Sequence, residues 1–266
     1  MSELFEMAQT CLQERDPQEK VRLTRQTAGL FQQYPAQPDP GYPGRSLQPG
    51  RPDLPELVHF SRLARRKLTT PEGCAAFLHA LAHIEFNAIN LAWDAVCRFP
   101  GMPVGYYRDW SKVAGEEAEH FFLLNERLEE LGYRYGDFPA HDGLWEMAEK
   151  TAHDVLVRMA LVPRVLEARG LDVTPGMLER LRSIGDNTSV AILERILSDE
   201  IGHVETGSRW FTYICRCRAI EPVATFARLL AENGMNRIKK PLNTPARRAA
   251  GFADEELELL ERWAEG

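Results

Sequence analysis

The chain of 266 residues is short of everything that would take it out of the ordinary globular class. Its five cysteines, Cys11, Cys74, Cys97, Cys215 and Cys217, are an odd number without the spacing of a disulfide framework, which excludes a small cross-linked scaffold. Cys215 and Cys217 lie two positions apart, about 200° around a helix, and so read as separate thiols rather than a redox or metal pair. No apolar run approaches the roughly 20 residues that a membrane span needs. The charged N-terminus, MSELFEMAQTCLQERDPQEK, lacks the apolar centre of a secretory leader. A cytoplasmic location with no membrane partner is the expectation. Positive charge is also scarce: 32 Lys and Arg stand against 39 Asp and Glu, a net charge of −7 that disfavours nucleic acid as an obligate partner. Hydrophobic and charged contents are ordinary, and the length suffices to bury a sizeable core.

What the chain does have is a repeated pair of short patterns. Glu117-Ala118-Glu119-His120 and Glu200-Ile201-Gly202-His203 each set a carboxylate and an imidazole three positions apart. On a helix such positions share a face about one turn apart, so both groups reach one point beside the axis. Upstream of each lies a lone acid in an apolar helical run: Glu85 in HIEFNAINLAWDAV and Glu167 in MALVPRVLEARG. Glu85 and Glu117 are 32 residues apart, and Glu167 and Glu200 are 33 apart. One ExxH is a weak signal, because both residue types are common on solvated faces. Two of them, each preceded at matched distance by an acid, form a repeat in chemistry rather than in sequence. The series Glu, ExxH, Glu, ExxH is the donor set of a dinuclear carboxylate centre inside a four-helix bundle. The expected metal ligands are Glu85, Glu117, His120, Glu167, Glu200 and His203. Glu116 and Asp199, each one position before an ExxH, are placed to accept a hydrogen bond from the ring nitrogen that a ligating histidine leaves over. A solvated acid is the other reading of both.

Residues 1–66 read as a helical arm, SELFEMAQTCLQER and PQEKVRLTRQTAGLFQQ, followed by the Pro- and Gly-rich connector YPAQPDPGYPGRSLQPGRPDLPE, a strap over the bundle. The bundle is expected over 67–220. Thr70 and Pro71 open a helix that runs to residue 98. Its stripe of Leu78, Leu81, Ala82, Ala88, Ile89 and Ala92 puts Glu85 where a core residue belongs, and a charge there is costly unless paired or bound to a metal. His83 faces roughly the other way and reads as a packing or surface histidine; His79 is ambiguous. A second helix is expected over 107–131, stopped by Gly132. With a crossover connection, residues 133–150 return along the bundle with a short helix near 144–150. The third helix then covers 151–170 with a kink at Pro163. A further helix or helix pair carries MLERLRSIGDN, and the fourth core helix covers 189–216. Gly202 and Gly207 there mark close packing or access to the metal, and Trp210 reads as core or as a wall of the site. Residues 221–266 read as a helix, an extended stretch PLNTPARRAAGF and a terminal amphipathic helix packed on the bundle. Arg237, Lys239, Lys240, Arg247 and Arg248 read as solvated surface.

With HIEFNAINLAWDAV, EEAEHF, YGDFPAHDGLWEMAEKTAHDVL, LVPRVLEARGLD and ILERILSDEIGHVETGSRWF in view, the chain resembles a bacterial family of ferritin-like proteins, domain of unknown function 455. The resemblance runs from about residue 67 to the C-terminus. It implies an all-α fold: a ferritin-like four-helix bundle with additional N- and C-terminal helices and extended arms. It also aligns the six ligand positions named above, and it supplies no substrate. More distantly, the ligand pattern is similar to that of tRNA-modifying di-iron hydroxylases, rubrerythrins and other di-iron oxidases, an analogy that supports only a reaction class.

The leading expectation is therefore an oxidoreductase. Two metal ions, Fe first and Mn or a mixed Mn/Fe pair next, would activate O2 or peroxide to oxidise a small-molecule substrate whose identity stays open. Metal handling, as a ferroxidase or iron store, is the second expectation, although storage needs a closed shell of many subunits to which the arms are ill suited. A non-catalytic helical scaffold is the third, disfavoured because four acids facing one core repel one another without cations. A homodimer is compatible with the sequence.

Overall fold

The computed structural model describes residues 2–38, 48–64 and 66–265, so the centre of the expected connector, 39–47, lies outside the described residues. Every regular element among the described residues is helical, apart from one isolated parallel bridge between Leu57 and Ala140. No helix among them is long and apolar enough to cross a membrane. The chain divides into two compact units, residues 1–146 and 147–266.

In the first unit, α1 (Ser2–Gln13) and α2 (Pro17–Gln33) meet at a corner capped by Asp16, whose carboxylate accepts from Glu19 N at 2.8 Å. Pro17 sits at the first helical position, where an N–H would have no helical partner in any case. α3 (Pro71–Arg98) starts as the sequence predicts: Thr70 Oγ1 accepts from Gly73 N at 3.1 Å. α4 (Val104–Glu130) starts three residues earlier than expected and ends before Gly132, whose φ of +82° suits a residue without a Cβ. α3 packs along α4, α2 along α4, and α1 on α3. The N-terminal helices contribute to this core directly. Phe5 meets Phe31 and Tyr107 edge-on, and Trp93 Nε1 donates to Thr24 Oγ1 at 3.1 Å. Lys20 is fully buried. Its Nζ donates to Cys11 O and Leu12 O, both at 2.9 Å, and to Asn90 Oδ1 on α3 at 2.7 Å. One side chain thus closes the end of α1 and ties α2 to α3. The next helix in the chain, α5 (Gly143–Lys150), runs across the division at residue 146.

In the second unit, α6 (Val155–Leu161) passes into a π-helical segment, Val162–Glu167, and on into α7 (Ala168–Ser183). The expected helix end at Gly170 is not found, nor is a simple kink at Pro163. Proline lacks an N–H and crowds the preceding turn, and the wider π turn absorbs both defects while the helix continues. α8 (Asn187–Cys217) carries the second ExxH. A Cβ on Gly207 of α8 would stand 2.4 Å from Pro163 Cβ and Cγ, whereas one on Gly202 would meet nothing within 4 Å. Close packing is therefore the role of Gly207 alone. Trp210 is a core aromatic, edge-on to Tyr213.

The C-terminal part of this unit consists of α9 (Pro222–Glu232), α10 (Thr244–Ala249) and α11 (Asp254–Glu265). The stretch expected to be extended thus contains α10, capped by Asn243 Oδ1, which accepts from Ala246 N at 3.2 Å. Arg247, expected in solvent, is buried and grips Asp172 on α7 with Nε at 2.9 Å and Nη2 at 2.8 Å. Arg164 occupies the centre of the packing. Its guanidinium lies 4.2 to 4.7 Å from the ring centroids of Phe211, Phe226 and Phe252. It donates to Glu256 Oε2 at 2.6 Å and to Ser208 Oγ at 3.1 Å.

Candidate metal centre

In the first unit, α3 and α4 bring Glu85, Glu117 and His120 together, each presenting a ligand atom within 4.8 Å of the others. His120 Nδ1 stands 3.2 Å from Glu117 Oε2 and 3.4 Å from Glu85 Oε2. All three residues are buried. Glu117 and His120 reach one point because they are separated by three positions of α4, and Glu85 reaches it from the apolar stripe of α3. Burial, and after it the neighbouring Glu117 carboxylate, push the Glu85 carboxyl well above the usual range. Glu85 Oε2 makes no well-formed hydrogen bond among the described residues. A buried carboxylate in that position raises the energy of the protein alone, and a cation shared by two carboxylates and an imidazole removes the cost. The residues present are therefore of types that could hold a divalent cation. Phe86 and Phe121, each the next residue after a ligand-type side chain, meet at 5.5 Å, and Tyr135 lies against both.

In the second unit, Glu200 and His203 repeat the three-residue spacing on α8, with His203 Nδ1 3.8 Å from Glu200 Oε1. Glu167 is the last residue of the π segment. Among the described residues it is not gathered with Glu200 and His203 into a second three-membered cluster. Glu116 pairs with Lys112 Nζ at 2.7 Å, and Asp199 lies 3.7 Å from Arg195 Nε.

Taken one at a time in the sequence, His79 and His83 were not connected with Asn87 as a row of polar residues on α3. His79, His83 and Asn87 recur every four positions, so they share one face of α3, and all three are buried. That spacing is the signal that could have found them. His79 Nε2 accepts from Gly136 N at 2.9 Å, and His83 Nδ1 lies 2.8 Å from Tyr135 Oη. Burial lowers both imidazoles to about 4, so both are neutral near pH 7.

A helical protein with a buried carboxylate–imidazole cluster of metal-binding type is the class that these features define. The chain belongs to the family described as protein of unknown function DUF455, whose profile matches residues 13–258. The match reaches well into the N-terminal helices, beyond the start near residue 67 that the sequence blocks mark out. An uncharacterised protein of Haemophilus influenzae is 43% identical over 271 residues, which cover 98% of this chain and 94% of that relative. No solved structure matches the chain.

Proposed function

We propose that this protein is a di-metal carboxylate oxidoreductase with a ferritin-like four-helix bundle. It would hold two ions, Fe first and Mn or a mixed pair next, on Glu85, Glu117, His120, Glu167, Glu200 and His203. The observation that carries this reading is the buried triad of the first unit, in which two carboxylates converge on one imidazole nitrogen at 3.2 and 3.4 Å. Such a group keeps its charges in a dry site only with a cation to share. Support from the second unit, taken by itself, is the Glu200–His203 pair on α8 and the lone acid Glu167 at a π turn, a feature frequent at functional sites. In the sequence, the series Glu, ExxH, Glu, ExxH is the donor set of a dinuclear centre.

When bound, a metal pair of this kind supplies activation of O2 or peroxide for the oxidation of an organic substrate. The chain's own groups do the rest. Glu85 and Glu117 would hold the ions and offset their charge, and His120 would present Nδ1, while Phe86 and Phe121, next in sequence to Glu85 and His120, pack with Tyr135. Elemental analysis of protein produced with iron and manganese tests the reading, comparing wild type with the double variant Glu117→Ala/His203→Ala. About two ions per chain, lost in the variant, are expected from the ligand set. Absence of metal from both proteins would remove the enzyme reading, and a shell-sized particle on a sizing column would move it to metal storage.

A further inference from the structure

The first unit contains a cavity of about 360 Å³ beside α3, with Phe77, Phe138 and Leu144 among its apolar walls. The size lies within the range of small-molecule sites, roughly 300–1,000 Å³. Phe60 also lines it and is 71% exposed, so the apolar lining continues to the protein surface. The charge of the lining is one-sided: Arg66 belongs to it, and no Asp or Glu is among the described residues that do. The Arg66 guanidinium lies over the Phe138 ring, 4.9 Å from its centroid, so the charged head and not only the stem stands at a cavity wall. Its Nε is 3.3 Å from Glu72 Oε1, an exposed pair of the weak kind, and Nη1 and Nη2 make no hydrogen bond among the described residues. A second donor comes from His141, whose ring stands edge-on to that of Phe60 in the same lining. His141 Nδ1 accepts from Gly143 N at 3.2 Å, so the ring proton sits on Nε2, which has no hydrogen-bond partner among the described residues. The other polar side chains of the lining are engaged or enclosed. His83 Nδ1 meets Tyr135 Oη at 2.8 Å, and its Nε2 meets the backbone oxygen of His141 at 3.2 Å. Asn87 Nδ2 donates to the backbone oxygen of His83 at 2.9 Å, and Asn87 Oδ1 is enclosed by protein.

We infer that this cavity is a binding site for a small carboxylate with a compact apolar body. The body lies among Phe77, Phe138 and Leu144, and the carboxylate takes the two Nη groups of Arg66, with His141 Nε2 as a further donor in the lining. A guanidinium offers two parallel N–H groups to a carboxylate, which fixes the direction of the ligand as well as holding it. The Phe138 ring covers one face of that guanidinium, and attraction between charges is stronger beside an apolar wall than in open water. A neutral molecule with the same body keeps the apolar contacts and gains nothing from the one-sided charge. The inference is independent of the metal reading, because it uses no metal, no titration and none of the six candidate ligands.

Calorimetry on the full chain near pH 7 with a matched pair of probes, 2-naphthoate and 2-naphthamide, tests it. The expected result is binding of 2-naphthoate at least about tenfold tighter than of its uncharged amide, a difference of about 1.4 kcal/mol. Arg66→Gln should remove the preference by weakening 2-naphthoate alone, and Arg66→Lys should restore part of it, since a point charge lacks the planar fork. Arg66 is exposed and its ion pair is weak, so these variants should keep the helical content and cooperative unfolding of wild type. A further variant, Ala80→Trp, is placed at an exposed wall position and fills the cavity from the helix surface. It should abolish binding of both probes with the fold retained. No binding to wild type, equal affinity for the two probes, a preference that survives Arg66→Gln, or binding that survives Ala80→Trp would each overturn the inference. None of these results bears on the metal content of the chain.

Discussion

Gly207 on α8 faces Pro163 at the start of the π segment so closely that a Cβ at position 207 would stand 2.4 Å from two atoms of the proline ring. The absence of one carbon lets α8 approach the widened turn. Gly207→Ala should therefore destabilise the protein by about 1–3 kcal/mol or more through overpacking. Gly202→Ala, five residues earlier on the same helix and facing open space, should raise stability by up to about 1 kcal/mol through helix propensity. Denaturant melts of the two variants measure this opposite pair of signs.

Glu85 carries a stability cost that metal binding would remove. Its carboxyl titrates well above the ordinary range because it is buried and next to Glu117. With the folded pKa raised above the unfolded one, the native state holds more protons than the unfolded state in the interval between them. Stability of chelator-treated protein then falls as pH rises above the ordinary glutamate range, by up to about 1.4 kcal/mol per pH unit. Glu85→Gln should remove that slope and raise the melting temperature of the metal-free chain, while lowering metal uptake. Thermal melts across pH 4.5–7.5 with and without chelator read both effects. A variant less stable than wild type without metal would contradict the argument.

Acid should act on a different residue. His79 Nε2 accepts the Gly136 N–H at 2.9 Å, so a second ring proton would set a donor against a donor. Burial lowers this imidazole to about 4. The unfolded state binds the proton first, so the stabilisation is complete above about pH 6.5 and is lost as pH falls from there towards 4, at up to about 1.4 kcal/mol per unit. His79→Gln keeps an acceptor without a comparable titration. The steepness of acid destabilisation between pH 6.5 and 4 should decrease in this variant relative to wild type.

Arg164 should be irreplaceable by lysine. Its planar guanidinium lies against three phenylalanine rings and still reaches Glu256 and Ser208, a geometry that a point charge on a flexible stem does not reproduce. Arg164→Met leaves Glu256 as a buried charge without its partner and should cost about 3–5 kcal/mol, with Arg164→Lys recovering only part of it. Replacing Arg164 and Glu256 together with Met and Leu should cost less than Arg164→Met alone, and a double-mutant cycle of unfolding free energies measures this coupling.

The helices that the sequence made legible were those whose limits are set by neighbouring residues. Thr70 and Pro71 start α3 through contacts within one turn, and Gly132 closes the segment after α4 through its own backbone freedom. The pairing of Glu117 with His120 is likewise local, since three positions of a helix fix it whatever surrounds them. The convergence of Glu85 on that pair followed from its place in an apolar stripe, where an acid needs a partner.

Other features depended on contacts between distant parts of the chain. The π segment exists where Pro163 must be accommodated within a helix that continues, with Gly207 some forty residues later making room for its ring. Arg247 is drawn out of solvent by Asp172 and Lys20 by Asn90, partners that no periodicity relates. The cavity beside α3 is lined by that helix together with residues such as Phe60, Leu63, Phe138 and Leu144, which lie far from one another in the sequence. Local spacing determines which side chains share a face of one helix, because backbone geometry repeats every few residues. Which faces meet, and which polar atoms remain without a partner once they do, is decided by packing among elements far apart in sequence.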